Sequence, residues 1–492
     1  MTDDYLNQHI IMSDQKTNRH PKGLWCLSIA YAAFFFAYVG LISYLVLYLM
    51  DVFEFSSDEA YTFFASFNAL IWSFPLLGGY LAEKFGYKPV AAIGFILTML
   101  GLLICSIAAK LALYIGLSTF IIGYGLATPA CFAMIGLMYD KQDNRRESAY
   151  TLFYLLFNIG GLLSISSCGY LISYFGYHAT LVIESFSIIV ALVLIAWLNR
   201  WIQPYQEGEM HSEVKFKTSP RIFIIAGVAL LAIPLGVILL KFTNISTDLI
   251  WLIFIGSCLA VLWMAYKQKE KSARLKLYAL LFLLIISLII WALYFLEPSL
   301  LTVFIENNVN RHVGNFILLP ASTYYALDGF FVVVIGYFFS RLWWYLGSKN
   351  KGFSIPTKFF ISLISIALGY LVLVIGLHFV NASGLLNMGW VIVYYFLIAI
   401  GELLVGPISF AMVGRLSPQG KDGRLMGVQQ LFMGTGAILS GNLAELAATP
   451  TASTPLTTNP VYSHAYLEMV VGTIIAAFIV VFTIQPIKRL MN

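Results

Sequence analysis

The feature that most constrains this chain is a recurrence of apolar runs of about 20 residues, separated by short polar stretches. They fall at 23–50, 59–80, 88–109, 112–139, 148–174, 178–199, 220–241, 248–266, 276–304, 315–342, 355–379, 388–414, 424–447 and 464–487, fourteen in all. A helix needs roughly 20 apolar residues to cross a bilayer, whereas a barrel strand needs about 9–11. Inside lipid every backbone N–H and C=O must be satisfied within the protein, so runs of this length imply helices. Composition agrees, with 60% hydrophobic and 11% charged residues and a mean hydropathy of +0.83. The expected fold class is an all-α polytopic membrane protein.

Residues 1–22 are polar and mixed in charge, with no apolar core or small-residue cleavage site, so they read as a tail rather than a signal peptide. Six runs follow within 23–201. A linker, 202–275, carries a further pair at 220–241 and 248–266 with almost no polarity inside it, which reads as a lipid-facing insertion. Six more runs fill 276–487, and 488–492 form a second tail. Two six-helix bundles with an inserted pair is the plan of a major facilitator. Placing the N-terminus in the cytoplasm puts 26 of the 29 basic residues on the cytoplasmic side, leaving Lys110, Lys241 and Arg311 outside. The positive-inside rule therefore sets both termini inside. The net charge of +5 is a topology signal and calls for no nucleic-acid partner.

Chemistry concentrates in Met388–Gly414, where Glu402 is the single ionisable group, flanked by Gly401, Gly406 and Pro407. A charge at that depth costs roughly 2.5–3.5 kcal/mol on insertion scales and faces a bundle interior or a watery path. Keeping a glutamic acid protonated at neutral pH costs about 3.7 kcal/mol. The two costs are similar, a balance that suits a proton carrier. Other acids at membrane depth are Glu184, Glu297, Asp328 and Glu445; no Lys or Arg lies well inside any run of the twelve-helix core. His178 and His378 sit near run ends. The five cysteines lie in or beside runs without pairwise spacing, which suits packing residues. No metal motif, nucleotide loop or nucleophile elbow is present, so the chain reads as neither an enzyme nor a cofactor binder.

Three stretches carry a family resemblance. The loop after the second run, "GGYLAEKFGYKPV", presents Gly78, Gly79, Glu83, Lys84, Gly86 and Lys88, and resembles the major facilitator loop motif with Glu83 for its usual aspartate. "GYGLATPACFAMIGLMYDKQDNRRESAYTLFYLLFNIGGLLS", with Pro129, Arg145, Arg146, Tyr154 and Asn158, is similar to spans four and five of the proton-dependent oligopeptide transporters. "GELLVGPISFAMVGRLSPQGKDGRLMGV" resembles that family's span ten and the loop after it. The resemblance implies the facilitator fold, the inserted pair, uptake of di- or tripeptides by alternating access between 23–199 and 276–487, and a proton gradient as the only energy source. It also implies a substrate site between these halves and proton coupling at Glu402.

The departures fall on the family's functional positions. Its span-one acidic and basic motif aligns with Tyr31, Phe34 and Phe35, a second arginine with Ile42, and its span-four lysine with Thr128. Trp72 stands for a pocket tyrosine, Phe295 for the span-seven acid with Glu297 two residues on, Gly406 for a serine and Gln429 for a tryptophan. Tyr38, Tyr154, Asn158 and Glu402 are retained, and Asp328 replaces an asparagine. The expected substrate-binding set is Tyr38, Trp72, Thr128, Tyr154, Asn158, Glu297, Asp328 and Gln429. These acids favour an ammonium over a carboxylate, unless Arg311 or Lys241 folds in as an anchor. Partners expected are protons, lipid and a small peptide or amine-bearing solute, with the chain working as a monomer. The competing readings are a non-transporting sensor and a proton-coupled transporter of cationic or drug-like solutes.

Overall fold

The computed structural model describes residues 20–139, 145–198, 218–313, 317–348, 353–416, 422–448 and 453–491. The N-terminal tail, most of the linker before the inserted pair, and the loop lysines Lys141 and Lys421 lie outside these residues. The helices are α1 (Lys22–Phe53), α2 (Ser57–Ser73), α3 (Pro75–Phe85), α4 (Tyr87–Cys105), α5 (Lys110–Gly136), α6 (Arg145–Trp197), α7 (Thr218–Lys241) and α8 (Thr243–Tyr266). They continue as α9 (Lys271–Tyr294), α10 (Thr302–Asn308), α11 (Ala326–Ser348), α12 (Ile355–Gly376), α13 (Met388–Leu416), α14 (Asp422–Glu445) and α15 (Pro455–Met491). Among the described residues, twelve helical stretches are long and apolar enough to cross a membrane. One of them, Leu152–Trp197, is two helices joined where Gly176 adopts φ 79°, a conformation that costs glycine little. The protein is an all-α, multi-pass membrane protein. The tenth expected run, 315–342, starts later than its hydropathy suggests: Ile317–Leu318 is a strand, Ala321–Tyr325 a 3-10 turn, and the helix begins at Ala326. Likewise the second run breaks at Phe74, because Pro75 takes the first helical position of α3.

The chain forms two compact units. One comprises residues up to Gly40, Phe74–Ser164 and Phe175–Ile238; the other comprises Leu41–Ser73, Ile165–Tyr174 and the chain from Leu239. In the first, α4 and α5 approach closely through glycines seven residues apart on each helix. A Cβ on Gly101 would meet the Gly116 carbonyl oxygen at 2.7 Å, and one on Gly94 the Gly123 oxygen at 2.7 Å. Such small-residue seams replace the hydrophobic drive that is missing between helices in lipid. Glu184 is fully buried and seated on Gly40, where an added Cβ would lie 2.9 Å from the Glu184 carboxyl carbon.

In the second unit α2 packs on α14, with Gly434 and Gly441 facing Ala69 and Ala65. Helix α12 is tied to α13 by hydroxyls: Ser362 donates to the Gly401 carbonyl at 2.8 Å and Ser365 to that of Leu397 at 2.6 Å. Tyr370 reaches from α12 to the Leu293 carbonyl of α9 at 2.9 Å. Outside the helices, Val309–Asn310 pairs in parallel with Leu386–Asn387, and His312–Val313 forms a hairpin with Ile317–Leu318. The inserted helices are the most exposed, with 28% and 17% of their apolar windows buried against 72% for α1, as a lipid-facing pair requires.

Candidate functional site

Three acids that are far apart in sequence meet in the second unit. The first, Glu297, follows α9 at a break. Pro298 cannot donate an N–H and disrupts the helical ladder, so Glu297–Leu301 winds as a π turn, with the Leu301 N–H donating to the Leu296 carbonyl at 2.9 Å. Side chains repair the freed carbonyls: Ser299 donates to that of Phe295 at 2.9 Å and Thr302 to that of Glu297 at 3.0 Å. Asp328 stands in the first turn of α11 and is 4% exposed. Glu402 lies in the middle of α13, half-buried, with its Oε2 enclosed.

The Asp328 and Glu402 carboxyls lie near enough to interact directly. Ionised carboxylates only accept, so a hydrogen bond between these two needs a shared proton. The Tyr294 hydroxyl donates to Asp328 Oδ2 at 3.4 Å and lies 3.1 Å from the Tyr325 hydroxyl. Glu297 is within electrostatic reach of both Asp328 and Glu402, and no lysine, arginine or histidine acts on any of the three among the described residues. Neither carboxylate oxygen of Glu297 has a hydrogen-bond partner there, and Asp328 Oδ1 and Glu402 Oε2 are likewise unpartnered. A small cavity of about 10 Å³ adjoins Glu402, lined by Trp291, Tyr294, Ile366, Ile398, Val405 and Gly406. A Cβ on Gly406 would meet nothing within 4 Å, so the glycine leaves that space open.

The remaining expected residues of this unit are more peripheral to the acids. Trp72, at the end of α2, has its ring 6.4 Å from that of Phe295. Gln429 is fully buried in α14 and donates to Ser409 at 2.7 Å, bridging α14 to α13.

The first unit explains the lost charges of the family motif. Tyr31 donates to Thr128 at 3.2 Å, and its ring packs among Phe34, Phe35, Phe132, Phe153 and Phe157 at centroid distances of 4.9–6.1 Å. The span-one and span-four departures thus meet in one place: Tyr31 and Thr128 share a neutral hydrogen bond inside an aromatic cluster. Tyr38 is buried in the same layer, with its ring 4.5 Å from Tyr124. Tyr154 is 40% exposed and packs on Phe157 at 4.9 Å, while the Asn158 amide donates to the Tyr154 carbonyl at 2.8 Å.

In the loop motif, Gly78 lies against the Gly125 backbone, and Gly86 ends α3 with φ 102°. Lys84 is exposed over the Tyr80 and Phe85 rings, and Lys88 begins α4; nothing is described of the Glu83 side chain. Neither candidate anchor joins the acids. Arg311 pairs with Glu306 at 2.7 Å and donates to the Leu319 carbonyl at 3.0 Å, and Lys241 is exposed beside the Phe242 ring. The sequence reading missed Tyr294 and Tyr325, although each lies three residues before an acid of the cluster, the spacing that aligns side chains on a helix.

Residues 88–481 match the model of the POT family. The chain belongs to the POT family. Among similar proteins, a dipeptide and tripeptide permease B of Photorhabdus asymbiotica is 28% identical over 469 residues, covering 93% of this chain and 94% of the relative. The permease B of Salmonella typhimurium is 27% identical over 470 residues, with 93% of each covered. The fold is similar to the solved structure of "a bacterial homologue of the human drug peptide transporters PepT1 and PepT2", with TM-score 0.82 and 20% identity over 95% of this chain and 99% of that one. A "peptide transporter POT in complex with sulfate" gives TM-score 0.80 and 21% identity over 96% of each chain. As a POT-family member the chain is a membrane transporter, which accounts for buried acids that a purely structural bundle would not retain.

Proposed function

We propose that this POT-family chain couples proton entry to the uptake of di- or tripeptides, or related small amine-bearing solutes, across a bacterial inner membrane. The names of its permease relatives support the peptide class. The observation that carries the coupling is the nearness of the Asp328 and Glu402 carboxyls, with no basic residue acting on them among the described residues. With a proton between them the two carboxyls hold α11 and α13 together; without it two facing carboxylates repel, and a solute ammonium is the group that can replace the proton. Glu402, which borders the pocket, is the coupling carboxyl. Tyr294 keeps Asp328 oriented by its hydrogen bond. The proton gradient is the energy source, and alternating access is the working cycle.

Both termini are assigned to the cytoplasm, on the strength of the basic residues in the loops. One chain supplies all three acids, which supports a monomeric working unit. Counterflow in proteoliposomes tests the proposal: preloaded unlabelled dipeptide should draw labelled dipeptide inward. No exchange by the reconstituted protein would favour the non-transporting sensor, and exchange only of cationic drug-like solutes would favour that alternative.

A further inference from the structure

Glu297 is the least satisfied polar group of the site. Its side chain is fully buried, and neither Oε1 nor Oε2 has a partner among the described residues. A carboxylate seeks donors and a carboxylic acid seeks at least one acceptor, so neither protonation state is satisfied as the side chain stands. Buried groups in that condition are few in native structures and each calls for an explanation. The explanation is local to Glu297, because Asp328 and Glu402 already engage each other. A hydroxyl that lies electrostatically near Glu297, that of Tyr395, is also without a hydrogen-bond partner among the described residues. Glu297 opens the π turn, and single π turns recur at functional sites. A fully buried carboxyl, an unused hydroxyl and an irregular helical turn together make an acceptor-rich lining that lacks its donor.

We propose that Glu297 receives a second cationic group of the solute, so that this transporter selects dicationic solutes: peptides with a lysine or arginine side chain beside a free amino end, or short diamines. The inference rests on the transport reading above and adds specificity to it. The charges match. With Glu297 ionised and one proton held by the Asp328–Glu402 pair, the site carries two negative charges, and no basic group among the described residues acts on them. A solute with one ammonium balances one of these and leaves the other buried and uncompensated, which is costly; a second cationic group balances it. An ammonium brings three donors and a guanidinium five, enough for Glu297 and a tyrosine oxygen at once. Trp291 and Tyr294 line the adjoining pocket and give it faces that attract cations.

The test uses the full chain in proteoliposomes exchanging a labelled neutral dipeptide, inhibited by unlabelled alanyl-alanine or lysyl-alanine. In the wild type the lysyl peptide is expected to half-inhibit at a concentration at least tenfold lower, about 1.4 kcal/mol. In Glu297→Gln the ratio should fall to within twofold of one. Equal inhibition by both peptides in the wild type, or an unchanged ratio in Glu297→Gln, overturns the proposal. Should that variant not fold, Glu297→Asp carries the test: an intermediate ratio supports the site and a wild-type ratio refutes it. Thermal stabilisation of the detergent-solubilised protein by a short diamine reads the cation site without transport. If the wild type exchanges no dipeptide, the transport reading fails, while stabilisation lost in Glu297→Gln still supports the cation site. No stabilisation of the wild type, or equal stabilisation of the variant, overturns it.

Discussion

Gly78 and Gly79 are adjacent in the loop-motif segment, yet alanine at the two positions should have opposite effects. A Cβ on Gly78 would lie 2.7 Å from the carbonyl carbon of Gly125 and 2.9 Å from the Leu126 Cα. Both are backbone atoms of α5, so no side chain can rotate away. Carbon atoms sit at about 3.5–4.0 Å in ordinary contact, so α3 and α5 must part by roughly 0.8 Å or more. Overpacking of this kind costs about 1–3 kcal/mol. At Gly79 the nearest atom to an added Cβ is the Pro129 Cβ at 3.8 Å, an ordinary contact. Alanine there relieves a glycine in a helix, worth roughly 0.5–1 kcal/mol. The neighbouring variants should therefore differ by about 1.5–4 kcal/mol, the sum of the two terms. Thermal unfolding of the detergent-purified proteins measures it: Gly78→Ala should melt below the wild type and Gly79→Ala at or above it. Equal midpoints for the two variants would refute the close-approach argument.

Three further outcomes follow from the same geometry. A cysteine at position 84, in a background without the five native cysteines, should react with a membrane-impermeant reagent only in inverted vesicles; reaction only in right-side-out vesicles would reverse the orientation. Arg311→Gln should leave dipeptide competition within twofold of the wild type, because Arg311 is engaged by Glu306 and Leu319; a loss beyond tenfold would make it the carboxylate anchor. Converting a dipeptide to its C-terminal amide should change its competition by less than tenfold, about 1.4 kcal/mol, since among the described residues no basic group acts on the acids, and a larger loss would show that the carboxylate is recognised.

Much of the fold was legible because lipid leaves few choices: a run of about 20 apolar residues is a helix, and loop lysines and arginines suggest its direction. Boundaries set by local chemistry were less legible. Pro75 splits the second run, and polar backbone pairing rather than hydropathy shapes Val309–Asn310, His312–Val313 and Ile317–Leu318. In the site, each acid could be named from the sequence, because a carboxyl at membrane depth is conspicuous. Their meeting could not, since Glu297, Asp328 and Glu402 sit on separate helices and only tertiary packing brings them together. The same holds for Tyr31 and Thr128, two departures from the family motif that looked independent and are joined by one hydrogen bond. Gln429, a polar residue named for substrate, turns out to donate to Ser409 through its amide nitrogen, a contact the sequence does not show.

The central claim is that a proton held at Glu402 drives accumulation, and one measurement reaches it directly. Proteoliposomes given an inside-alkaline pH step should concentrate labelled dipeptide when they contain the wild type. Glu402→Gln, which keeps a polar side chain facing Asp328 but cannot exchange a proton, should lose that accumulation while retaining part of its counterflow exchange. Accumulation by Glu402→Gln equal to the wild type under the same pH step would contradict the account.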